Sequence, residues 1–86
     1  MGKIDKLLQV VFAGTSDASI AFKSLCALLK RMEFEERIKG DHHIFTRKDI
    51  EEIINLQPVG SKAKPYQVKQ IRRLFIKHQL GTKNVK

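Results

Sequence analysis

The chain has 86 residues, 42% of them hydrophobic, with five Phe and one Cys. That is enough for one small domain with a modest core. It excludes a disordered tail, and the single cysteine excludes an internal disulfide or a cage of several thiolates. The net charge is +8 and unevenly placed: Met1 to Ile54 carries nine basic and nine acidic residues, Asn55 to Lys86 eight basic and no acidic ones. An excess confined to the last third points to a polyanionic partner, nucleic acid before membrane, with a solvated basic face as the alternative.

Residues 3–13 have helical spacing through Ile4, Leu7, Leu8 and Val11. Asp5 and Gln9 interrupt any signal-peptide pattern at this start, and no apolar run is long enough to span a bilayer. "AGTSDAS" breaks the helix. "FKSLCALLKRM" is a second helix, with Phe22, Leu25, Cys26 and Leu29 on one face and Cys26 as a small core residue. "FEERIKG" alternates as a strand, although Glu36 falls on the face of Phe34 and Ile38. Gly40-Asp41 turns into "HHIFTR", making a hairpin. "KD" is a second turn, and "EEIINLQ" a third strand. "PVGSKAK" is a loop, and Pro65 starts a helix through "PYQVKQIRRLFIKHQL" that Gly81 ends. Val68, Ile71, Leu74 and Phe75 face inward, with Lys69, Arg72, Arg73 and Lys77 on the other side. Helices over one face of a three-stranded antiparallel sheet make an α+β domain with one sheet face open.

Two of the three histidines, His42 and His43, are neighbours on a strand and therefore point to opposite faces. Phe45 is the stronger core anchor and shares its face with His43, which leaves His42 on the open face with Ile44 and Thr46. Ile44 is apolar too, so the opposite assignment stays open. Metal binding is not expected, because the two rings diverge, His78 lies far along the chain, and no HxxxH motif or cysteine pair exists. An exposed histidine beside a basic surface is suited to moving the proton of a ribose 2′-OH; an inert strand residue is the alternative. His78 is expected to pack or cap near the end of the last helix.

"LLKRMEFEERIKGDHHIFTR", "INLQPVG" and "KPYQVKQIRRLFIKHQLG" together resemble the HicA family of toxins from type II toxin–antitoxin systems. The resemblance covers about residues 22–81 of a single 1–86 domain, with residues 1–14 as an added N-terminal helix. It implies a fold similar to the double-stranded RNA-binding domain, α-β-β-β-α. It also implies a metal-independent and cofactor-free endoribonuclease that cleaves mRNA with one histidine and is neutralised by a HicB-like antitoxin; the lone cysteine fits a reducing, cytoplasmic setting. The family's Gly-Ser-His falls on Gly40, Asp41 and His42. This makes Gly40 and Asp41 the turn shaping the site and His42 the catalytic candidate, with His43 in reserve. Lys62, Lys64, Lys69, Arg72, Arg73 and Lys77 are then the expected RNA-phosphate contacts. Two departures stand out. Asp41 replaces the usual Ser, putting a negative charge beside the imidazole. Met32-Glu33 replaces a Leu-Gly exit, so the turn after the helix must be made without glycine. The alternative function is a non-catalytic RNA-binding or antitoxin-binding module of the same fold.

Overall fold

The computed structural model describes residues 2–81, so Lys83 and Lys86 lie outside the described residues. The elements are α1 (Lys3–Ala13), a 3-10 turn (Asp17–Ser19), α2 (Phe22–Arg31), β1 (Glu35–Lys39), β2 (His42–Arg47), β3 (Ile50–Leu56) and α3 (Pro65–Lys77). The three strands form an antiparallel meander in the order β1-β2-β3. The result is the α-β-β-β-α layout expected, preceded by an added helix.

Periodicity explains the layers. Phe45, Ile54 and Leu56 project from one sheet face and are fully buried with Leu25, Leu28 and Leu29 of α2 and Val68, Ile71 and Phe75 of α3. Burying such side chains contributes about 1.5–3 kcal/mol each. α1 packs against both α2 and α3, burying Val11 and setting Phe12 against Phe75 with ring centroids 6.3 Å apart.

The connections are tight. Lys39 pairs with His42, so the β1–β2 turn has only Gly40 and Asp41 at its centre. Gly40 alone has positive φ there (63°), the pattern of a turn with glycine at its first central position. α2 ends with Phe34 N–H donating to Leu29 C=O and Glu33 N–H to Lys30 C=O, at 3.0 and 2.9 Å. That is the Schellman arrangement, made here with Glu33 rather than glycine at φ 72°. Arg47 completes the exit by donating to Met32 C=O at 2.9 Å while lying over the Phe34 ring. α3 ends at Lys77, three residues short of the sequence expectation, because Gln79 adopts φ 57° and Leu80 N–H returns to Phe75 C=O at 2.8 Å.

Glu36, the residue that spoils the alternation of β1, does sit on the covered face. Its two oxygens are met by Lys30 Nζ at 2.8 Å and His43 Nδ1 at 2.7 Å, so its charge is paired where it is partly buried.

Candidate functional site

The pleat separates the two histidines. His43 turns toward α2, its ring edge-on to Phe22 at 4.8 Å, and its side chain is 22% exposed. His42 stands on the open face and is 47% exposed. Its Nδ1 lies 3.1 Å from Asn55 Oδ1. An amide oxygen only accepts, so Nδ1–H donates in this contact, and the neutral form of the ring then carries its lone pair on Nε2. Nε2 stands 3.8 Å from Asp41 Oδ1, outside hydrogen-bond distance.

His42, Asn55, Gln57, Tyr66 and Gln67 line a shallow depression of about 200 Å³. Its floor is braced from the core outward. Gln67 is buried, and its amide, oriented to satisfy both of its atoms, accepts from Gln57 N–H at 3.2 Å and donates to Gln57 C=O at 3.3 Å. The Gln57 side chain donates to Asp41 Oδ2 at 2.8 Å and accepts from Lys64 Nζ at 3.4 Å. The bond from Gln57 is the main cause holding the Asp41 carboxyl below its ordinary range. Asp41 thus acts as a tether for the turn as well as a charge beside His42.

The basic residues divide. Lys62 is fixed in a loop whose backbone is tied to the start of α2, with Ala63 N–H donating to Ile20 C=O and Phe22 N–H to Ser61 C=O, each at 2.9 Å. Lys64 precedes α3 beside the depression. Tyr66, Lys69 and Arg73 are exposed at helical spacing along α3. Arg72 is not on that outward stripe, although the helical wheel predicts it there. Its guanidinium grips Asp17 at 3.0 and 3.1 Å and donates to the Val11 carbonyl at 2.9 Å, because α1 and the 3-10 turn pack on that side of α3. Lys77 pairs with Glu52 at 2.7 Å, and His78 caps α3 while meeting the same carboxylate at 2.9 Å.

Sequence reasoning passed over Asn55, Gln57, Tyr66 and Gln67, although "INLQPVG" and "KPYQ" contain them. Their register against His42 appears only once β2 and β3 are paired. It also passed over Lys39 and Arg37, which alternate away from Glu36 and so share the open face with His42. Ile53, 61% exposed, gives that face an apolar spot.

On the covered side, donor atoms of Cys26, Glu36 and His43 lie within 4.8 Å of one another, a convergence that the sequence spacing does not announce. Burial, with the Glu36 charge adding, pushes the Cys26 thiol up to about 11. The His43 hydrogen bond, then Lys30, holds the Glu36 carboxyl low.

No described helix is long and apolar enough to cross a membrane. Comparison with curated proteins and with solved structures finds no match. Comparison with protein families matches residues 22–81 to the family described as HicA toxin of bacterial toxin–antitoxin systems. With most of the chain covered by that match, and with the α-β-β-β-α core in place, the chain belongs to the HicA toxin family.

Proposed function

We propose that this HicA toxin is a metal-independent endoribonuclease that cleaves mRNA in the cytoplasm with His42 as its one catalytic histidine. The observation that carries the reading is the Asn55 contact at 3.1 Å, which orients an exposed imidazole with Nε2 available as a base. Nε2 takes the proton of the ribose 2′-OH, O2′ attacks phosphorus, and the bond to O5′ breaks. The products are a 2′,3′-cyclic phosphate and a 5′-OH end protonated from solvent. Lys64 and Lys39 flank this position to hold the phosphate and offset its developing charge. Tyr66, exposed at the rim, offers a ring on which a neighbouring base stacks. Lys62, Lys69 and Arg73 extend the phosphate path. Arg72 and Lys77 lie in the same helix but hold Asp17 and Glu52, so they rank below the others as RNA contacts. A HicB-like antitoxin covering the depression and the open face around Ile44 and Ile53 would block access to His42.

The test is cleavage of a short RNA by purified protein, with His42→Ala beside it. The expected result is a cyclic-phosphate product and a loss of about 10²–10⁴-fold in rate for the variant. RNA left intact by protein that binds it tightly sinks the enzyme reading; full activity in His42→Ala sinks the role given to His42. Asp41 favours uncleaved RNA, since its charge beside Nε2 opposes a phosphate seated for attack there. The chain would then be a non-catalytic RNA- or antitoxin-binding module.

A further inference from the structure

Three metal-ligating side chains meet on the covered side of the sheet, each from a different element. Cys26 comes from α2, Glu36 from β1 and His43 from β2. A sulfur, a carboxylate oxygen and a ring nitrogen lie within 4.8 Å of one another there. We infer that these residues form a three-ligand site for a tetrahedral divalent cation, Zn²⁺ by ligand chemistry, with solvent in the fourth position.

The donor set is the first argument. One thiolate, one imidazole and one carboxylate suit zinc, whereas Mg²⁺ and Ca²⁺ take oxygen shells. Geometry is the second. Zinc–ligand bonds of about 2.0–2.3 Å set tetrahedral donors roughly 3.3–3.8 Å apart. The widest separation therefore closes by about 1 Å and the Glu36–His43 pair, 2.7 Å apart, opens by about 0.6 Å, movements that side-chain rotation supplies.

The surroundings are the third argument. Lys30 holds one oxygen of Glu36 at 2.8 Å, fixing the carboxylate from outside as an outer-shell partner does, while the other oxygen faces His43. Phe22 fixes the His43 ring from a second side. Cys26 is buried, yet the Glu36 and His43 side chains keep 12% and 22% of their exposure, so the cation and its water have a way in. The site is separate from the His42 depression because the pleat sends the two histidines to opposite faces. No step of the proposed cleavage passes through it. Its occupancy would cross-brace α2, β1 and β2.

The test is a Co²⁺ titration of the full chain under reducing conditions, followed by Zn²⁺ competition. The expected result is one equivalent bound, with intense visible bands of a tetrahedral site and a near-ultraviolet thiolate-to-cobalt band, both erased by Zn²⁺. Cys26→Ala should abolish the near-ultraviolet band, and Glu36→Gln should weaken Co²⁺ binding by more than about ten-fold. Zn²⁺ should raise the thermal midpoint of the wild type but not of Cys26→Ala. His43→Gln is a less clean probe, because His43 also packs on Phe22; folded Cys26→Ala, checked by circular dichroism, keeps the test decisive. A pale octahedral spectrum without the near-ultraviolet band overturns the inference, as does a Cys26→Ala spectrum identical to wild type. Neither readout depends on RNA cleavage.

Discussion

Gln57 Nε2 donates to Asp41 Oδ2 across 2.8 Å, tying the tip of the β1–β2 turn to the end of β3. The residue that departs from the family's Gly-Ser-His thus has a structural partner, and its charge lies beside the imidazole. Asp41→Ser removes that charge and should tighten RNA binding at low salt by about two- to five-fold. The gain should fade toward about 1 M salt, where the screening length is about 3 Å. Fluorescence anisotropy with a 2′-O-methyl RNA, which cannot be cleaved through its 2′ oxygen, reads binding alone. Unchanged affinity at every salt concentration would mean that Asp41 does not face the RNA.

On the proposed reading, Asn55 orients His42 without touching the reacting atoms. Asn55→Ala should slow cleavage by about 10- to 100-fold, less than removing the base itself. Asn55→Asp keeps the acceptor for Nδ1–H and should restore most of the rate. A merely structural role would leave Asn55→Asp no better than Asn55→Ala once both are shown to be folded.

Two neighbouring arginines should behave differently. Arg72→Met leaves Asp17 and the Val11 carbonyl without their partner and should cost about 2 kcal/mol in denaturant unfolding. Arg73→Ala should leave stability unchanged and reduce the slope of log affinity against log salt by about 0.7–0.9. Exchanged phenotypes would reverse the two roles.

Glu33 holds a left-handed conformation that an L-residue adopts at a cost of about 1–2 kcal/mol. Glycine there recovers this cost but loses more chain entropy on folding, about 0.5–1 kcal/mol. Glu33→Gly should therefore stabilise the chain by about 0.5–1 kcal/mol, seen as a higher urea midpoint at an unchanged m-value.

The Lys77 hydrogen bond, then His78, pulls the Glu52 carboxyl from 4.5 down to about 2. The folded state therefore binds fewer protons at Glu52 than the unfolded state does. The contribution to stability is present above 4.5 and is lost as the pH falls from there toward about 2. Glu52→Gln removes this acid-sensitive part, so its unfolding free energy should vary less than the wild type's across that window. Parallel pH profiles for the two proteins would show that the pair adds nothing.

The sequence carries the parts of this fold set by period and punctuation. Ile71, Leu74 and Phe75 keep helical spacing, and Gly40-Asp41 marks a two-residue turn. What escapes is set by register and by added layers. His42 meets Asn55 because β2 and β3 pair with an irregularity between Phe45 and Arg47, which no alternation rule fixes. Arg72 reads as solvent-facing until α1 lies over it. Cys26, Glu36 and His43 converge only when α2 crosses the strands. Gln67, the one buried polar residue among those described, reads from sequence as a surface helix position.

The bracing of Gln57 by Gln67 also bears on protein synthesis. Lys64, Tyr66 and Gln67 follow every strand in the chain, so the ribosome makes the last wall of the depression after the histidine it serves. On the proposed reading, a nascent chain still missing α3 has His42 on a hairpin whose tether is unanchored. The message would therefore be spared by the chain it encodes until α3 has been made and has packed.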